Sequence, residues 1–374
     1  MKELVIDKLG ENQRLDKYLS KYLSAASKSF IYKMLRKKNI TLNNKKADGS
    51  EKLQMGDCIK IFFSDETLVK FTEGKAVEGK TVIADAKTKA SLDYEAIYKP
   101  LDIVYESDDI LLVNKPAGML SQKAVPQDIS LVEYITAYLL HTNAISYEDL
   151  KIFHPGICNR LDRNTSGIVA AGKTMKGLQL LSECFKERTL NKYYICIAAG
   201  NITQRQLIKG FLKKNHKTNK VEIYDMLPFN YASENAITAD NDRKISNEQY
   251  LPIETEYIPV VSNDNITLLK IHLITGRSHQ IRAHLASISH PIAGDFKYGN
   301  NELNAYFADK YSCKSQLLHS YELEIPDMPI CNGSRNSNDN NLHVYTAIPE
   351  TFIKVLKGEN LWQPGIQEAL EALY

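Results

Sequence analysis

Residues 159–167 read NRLDRNTSG: one acid, Asp162, stands between Arg160 and Arg163 before the chain turns through Asn164, Thr165, Ser166 and Gly167. A surface loop has little reason to flank one carboxylate so closely with guanidinium groups, and a core cannot hold three charges without partners. A carboxylate can act as a nucleophile toward a sugar carbon if it stays ionised while water is excluded. Burial alone raises its pKa and neutralises it, so an adjacent cation has to hold the charge. Arginine suits that task, because its guanidinium stays protonated and grips a carboxylate through two parallel hydrogen bonds. On this stretch alone an architectural Asp–Arg pair beside a turn explains the pattern equally well. Thr165, Ser166 and Gly167 fit a turn that aims Asp162 into a cleft, with Gly167 permitting close backbone approach.

Upstream of this stretch, IVYESDDILLVNKPAGML (103–120) places two apolar runs around a Ser107-Asp108-Asp109 turn. Downstream, the spacing of Leu178, Leu181, Cys184 and Phe185 predicts an amphipathic helix over 175–188, and KYYICIAAG (192–200) reads as a strand. Residues 201–252 are polar and weakly patterned, an excursion of hairpins and loops. IETEYIPVV and ITLLKIHLI then flank Asn263-Asp264-Asn265 as a β-hairpin, and SHQIRAHLASI (278–288) follows as a helix with Ser278 as its N-cap. CNGSRNSNDNN (331–341) is a low-complexity polar loop. The pattern is α+β, without the β-α-β rhythm or Gly-rich loop of a nucleotide fold, so no nucleotide cofactor is expected. His279, His284 and His290 lack accompanying Cys or carboxylate ligands, and 279 to 284 does not share a helix face, which argues against a metal site.

At 374 residues and 43% hydrophobic, the chain is long enough for two or three domains. No apolar run approaches the ~18 residues of a membrane span, and the N-terminus is charged from its second residue, which points to the cytoplasm. Six cysteines without a C-x-x-C pair argue against disulfides and a zinc ribbon. Net charge is +2, but residues 13–60 carry 12 Lys/Arg against 4 Asp/Glu, a balance of +8 that leaves −6 for the rest. A compact basic module on a mildly acidic body is the footprint of a polyanion binder. Within it, helical spacing places Leu15, Tyr18, Leu19, Tyr22 and Leu23 on one helix and Phe30, Ile31, Met34 and Leu35 on a second, begun by Ser27 and Ser29. ITLNNKK reads as a strand entering an Asn43-Asn44 turn, and MGDCIKIFF as a closing strand. This arrangement, over 13–63, resembles the S4 RNA-binding domain, which implies that Arg14, Ser27, Lys28, Lys33 and Lys37 line an RNA-facing surface. Residues 64–97 read as a linker.

NRLDRNTSG resembles the R-L-D-x-x-T-S-G signature of the RluA type of pseudouridine synthases. It does not stand alone: NKPAGML matches their K-P-x-G motif, NKYYICIAAG their K-x-Y strand, and LITGRSHQIRAHLASISHPIAGDFKYG their T-G-R-x-H-Q-I-R-x-H-L and P-I-x-G-D-x-x-Y-G segments. The four motifs occur in the family's order. The resemblance implies a catalytic domain over 98–374 built on a mixed, mainly antiparallel sheet with peripheral helices. It also implies an isomerase that breaks the uridine N1–C1′ bond, turns the uracil and rejoins it through C5. In it Asp162 would be the nucleophile, Arg282 its ion-pair partner, and Tyr194 the residue that stacks on the base and stands within reach for proton transfer. Arg160 would fill the space left by the flipped uridine. The implied partner is RNA, foremost large-subunit ribosomal RNA, with transfer RNA as the alternative; no cofactor or metal is implied, and the chain would act as a monomer. One departure is Asn159, where the family usually has His, which affects an RNA contact or a local hydrogen bond. Two other classes compete: a catalytically silent RNA-binding or ribosome-assembly protein, and a nucleoside glycosidase using Asp295 as a second acid.

Overall fold

Two strands in this chain, each bearing part of the motif set, run from one compact unit into another. The structure, a computed structural model, describes residues 1–72, 92–215, 217–227, 250–326 and 341–373. The centre of the expected linker (73–91), residues 228–249 of the polar excursion and the loop at 331–340 lie outside the described residues. One unit comprises Met1–Leu112, Gln122–Asn159 and Ala170–Glu183; the other comprises Val113–Ser121, Arg160–Val169 and Cys184–Tyr374.

The first unit begins with a three-stranded antiparallel sheet of β1 (Lys2–Val5), β2 (Ile40–Leu42) and β3 (Cys58–Ile61), in the order β1-β3-β2. The sequence pattern starts this module at residue 13 and does not reveal β1, which is mostly exposed and has no alternation to betray it. Helices Leu15–Tyr22 and Lys28–Arg36 bury Leu15, Tyr18, Leu19, Ile31, Met34 and Leu35, the two apolar stripes. Ser27 caps the second helix by accepting the Phe30 N–H at 3.3 Å. Asn43 and Asn44 take φ of 50° and 60°, the left-handed pair that a tight two-residue hairpin turn requires. The first residues of the expected linker form a helix, Asp65–Thr72, whose Leu68 and Phe71 pack against the module's core. In the same unit Ile152 packs on that core and Lys8 pairs with Asp108 at 2.9 Å. The hairpin expected around Ser107 is β4 (Ile103–Glu106) and β5 (Ile110–Lys115). Further on come helix Leu131–His141, β6 (Gly156–Ile157), β7 (Ser166–Gly172) and helix Met175–Glu187.

The second unit is built on β8 (Asn191–Ala199), β9 (Gln206–Asn215), β10 (Lys220–Tyr224), β11 (Tyr250–Ser262), β12 (Ile266–Leu273), β13 (Leu318–Ile325) and β14 (Leu342–Tyr345). Their order is β10-β9-β11-β12-β8-β13, all antiparallel, with β14 on β13 and the first residues of β7 parallel to β13. Tyr193 to Ala198 in β8 are buried without alternation, as a central strand covered on both faces must be. Ile195 and Ile197 join Ile266, Leu268, Phe307, Phe352, Leu356 and Leu370 in one core. Tyr194 therefore belongs to the opposite face of the strand. A buried ion pair interrupts the apolar pattern of β12. The Lys270 ammonium lies 2.7 Å from Glu322 and donates to the Leu370 and Leu373 carbonyls, satisfying the C-terminal end of helix Ile366–Ala372.

Candidate active site

Asp162 sits in the second unit on the loop entering β7, and the loop's backbone is tied down on several sides. The Thr165 N–H donates to the Asp162 carbonyl at 3.0 Å, closing the turn, and Ser121 Oγ bonds both the N–H and the carbonyl of Leu161. Lys115, of the K-P motif, is fully buried and donates to three carbonyls, those of Pro116, Met119 and Arg163, at 3.0, 2.9 and 3.2 Å. Three N–H groups meeting three acceptors suit an ammonium; burial pushes its pKa down to about 8, while the Asp162 charge opposes the fall. Gly167 has φ +113°, and a Cβ there would stand 2.2 Å from the Ser320 carbonyl. Only glycine lets β7 approach β13 this closely beneath the loop.

The charge on Asp162 is met from a distant part of the chain. Arg282, on helix Gln280–Ser287, donates from Nη1 to Asp162 Oδ2 at 2.7 Å, while its Nε and Nη2 grip the two oxygens of Asp295 at 2.7 and 2.8 Å. Asp162 Oδ1 has no hydrogen-bond partner among the described residues. Asp295 is wholly buried, and its Oδ1 also accepts the Lys297 and Tyr298 N–H groups. Burial pushes the Asp295 carboxyl up, but the Arg282 hydrogen bonds and charge outweigh it and hold the pKa below its ordinary value. Arg282, despite burial, is held above its ordinary value by Asp295 and Asp162. Asp295, the second acid of the glycosidase reading, is both a turn residue and the clamp that orients the arginine.

Tyr194 is buried, hydrogen-bonded with Ser320, and close enough to Asp162 to feel its charge; burial pushes its phenol up to about 12, so it is protonated at neutral pH. Arg160 is exposed, with no side-chain partner among the described residues, free to meet an incoming anion or base. Arg163 is engaged differently from its neighbour: its Nε donates to the Gly118 carbonyl at 3.0 Å, bracing the K-P-x-G turn. The two arginines that flank the acid thus differ, because a backbone acceptor lies within reach of the second guanidinium. In the other unit Asn159 Oδ1 accepts the Ala170 N–H at 2.8 Å, a local structural bond.

His279 stands in the sequence only as a rejected metal ligand, yet the fold brings it to the site. It occupies the N-cap position expected of Ser278, with φ 56° and no capping bond from its side chain, because the motif's turn places Arg277 and Gln280 in their own hydrogen-bonded loop. Its Nε2 lies 3.9 Å from Asp162 Oδ2, and its Nδ1 bonds the Tyr298 hydroxyl at 2.8 Å. Burial lowers its pKa, against the pull of Asp162. His284 and His290 are turned to Thr255 Oγ1 and the Ala199 carbonyl. Arg277 has a buried Nε without a hydrogen-bond partner among the described residues.

In the first unit Arg14, Ser27, Lys28, Lys33 and Lys37 are all exposed. Arg14 is paired with Asp16 at 3.0 Å and Ser27 is occupied as a cap, whereas Lys28 and Lys33 lie on the exposed face of the second helix and Lys37 is its exposed C-cap residue.

The description RNA pseudouridylate synthase fits residues 109–287, and that of the S4 domain fits residues 13–59. A ribosomal large subunit pseudouridine synthase C of Rickettsia bellii is 32% identical over 293 residues, covering 78% of this chain and 85% of that protein. An uncharacterized RNA pseudouridine synthase of Mycoplasma genitalium is 28% identical, over 87% of this chain and 90% of its own. Among solved structures, human RNA pseudouridylate synthase domain containing 4 superposes with a TM-score of 0.52 at 18% identity, covering 70% of this chain and 94% of that one, a likeness of fold.

Proposed function

This chain belongs to the RNA pseudouridine synthases, which isomerise uridine to pseudouridine in RNA, and we propose that its substrate is large-subunit ribosomal RNA and its nucleophile Asp162. The observation that carries the second part is the half-buried Asp162 carboxylate, with one oxygen on a doubly clamped arginine and the other unoccupied. Oδ1 attacks the sugar C1′ as its bond to uracil N1 breaks and the base leaves as an anion; the freed base turns, C5 bonds C1′ as the Asp162–C1′ ester breaks, and the proton on C5 is lost while N1 takes one up. Tyr194 stacks on that base and exchanges protons at its edge; Arg160 fills the helix after the uridine leaves it. Support for the ribosomal substrate comes from the Rickettsia relative, named for the large subunit, and from the basic module at the N-terminus. The enzyme would act in the cytoplasm as a monomer.

Hydrolysis to free uracil would require a second available carboxylate. Asp295 does not offer one, because both of its oxygens are committed to Arg282 and to backbone N–H groups.

The test compares wild type with Asp162→Asn. The amide keeps the shape and loses the nucleophilic charge, so isomerisation should vanish while RNA affinity stays within a few-fold. Chemical mapping of pseudouridine in ribosomal and transfer RNA, with and without the gene, identifies the substrate. Turnover by the asparagine variant removes Asp162 from its role, and modification confined to transfer RNA removes the ribosomal assignment.

A further inference from the structure

Phe296 is 66% exposed, and among the described residues its ring meets no other aromatic ring. A single exposed apolar side chain is ordinary on a protein surface, but this one is mounted on the turn that holds the arginine of the site. On one side of it is Asp295, wholly buried and gripping Arg282; on the other are Lys297 and Tyr298, whose N–H groups both bind Asp295 Oδ1. The Gly299 N–H closes the turn on the Asp295 carbonyl at 2.7 Å. The Tyr298 hydroxyl accepts the Val221 N–H and bonds His279, and Lys297 Nζ donates to the Asn219 carbonyl. The backbone on the C-terminal side of Phe296 is thus anchored to Asp295, and the ring itself is presented to solvent.

From this we infer that Phe296 is the stacking platform for a base adjacent to the target uridine. The inference rests on the reading of Asp162 and Arg282 as an RNA-modifying site. When a uridine is drawn out of its stack, its neighbours lose one stacking face each. An aromatic ring supplies a replacement without regard to base identity, and a ring mounted on an anchored turn loses little backbone freedom on binding.

Phe296→Ala, Phe296→Leu and Phe296→Trp, made in the full chain, test this on a short RNA whose uridine the wild type isomerises. Loss of one stacked base should weaken RNA binding about 5- to 150-fold in the Ala and Leu variants. The saturating single-turnover rate should stay near wild type, and Trp should restore affinity. The salt dependence of binding should be unchanged, because no charge is removed. 2-Aminopurine beside the target uridine should be quenched on binding to wild type and not to Phe296→Ala.

Wild-type affinity in the Ala variant, or in the Leu variant, overturns the proposal, the latter by assigning the effect to apolar area. So does a fall in the saturating rate with affinity intact, which marks a structural part in the turn. A wild type that modifies no RNA would sink the functional reading itself. An active wild type with indifferent Phe296 variants sinks only the stacking role.

Discussion

Replacing Asp295 with asparagine removes one charge and almost no volume from the arrangement behind Asp162. In the wild-type site the Arg282 guanidinium makes three charge-assisted hydrogen bonds, two to Asp295 and one to Asp162. The two side chains are 9% and 0% exposed, so water cannot replace a missing partner. In the variant, an amide oxygen satisfying the Lys297 and Tyr298 N–H groups leaves its NH2 facing Arg282 Nε, donor against donor. Breaking a buried ion pair from one side costs about 3–5 kcal/mol, a large part of the stability of an ordinary domain. Because Arg282 then has only Asp162 to hold it, the nucleophile should also be mispositioned, and misplacement by about 1 Å can cost about 100-fold in rate. The acid limb provides a second readout. The folded Asp295 carboxyl titrates below its ordinary value of 3.8, so its stabilisation is complete above the unfolded value and is lost as pH falls through the lower folded one. Urea unfolding at pH 7 and along a series below pH 4, with single-turnover isomerisation at pH 7, checks all three. Asp295→Asn should be less stable at pH 7, should lose this part of the acid dependence, and should turn over slowly. A variant within about 0.5 kcal/mol of wild type and fully active would refute the clamp.

Gly167→Ala should destabilise the second unit by more than about 1 kcal/mol, since its φ is +113° and the new Cβ would lie 2.2 Å from the Ser320 carbonyl; an unchanged urea midpoint would contradict this. Removing residues 1–97 should flatten the plot of log affinity against log salt by about 0.9 for each duplex phosphate that the basic module neutralises, and an unchanged slope would make Lys28, Lys33 and Lys37 a solvated face only. The same truncation strips Ile152 of its apolar partners and Asp108 of Lys8, so the shortened chain should melt earlier than wild type, which calorimetry would show.

Much of the local structure is legible in the residues alone. The helices over 15–22 and 28–36, the Ser27 cap, the Asn43-Asn44 turn and the hairpin around Asn263–Asn265 each depend on a few neighbouring residues: an apolar period, a capping hydroxyl, tolerance of positive φ. The motifs likewise put Asp162, Tyr194 and Arg282 forward as a set, through resemblance rather than spacing. Tertiary structure alone decided who touches whom. It turned Arg163 to the Gly118 carbonyl and buried Lys115 against three carbonyls. It also gave Arg282 a second carboxylate and brought His279 to 3.9 Å from Asp162. Only the fold leaves Phe296 in solvent. Backbone preference and periodicity act over one or two turns of chain and so are written locally. The partner of a charge or a ring depends on strand register, close approach at a glycine and exclusion of water, which exist only after segments more than a hundred residues apart have packed together.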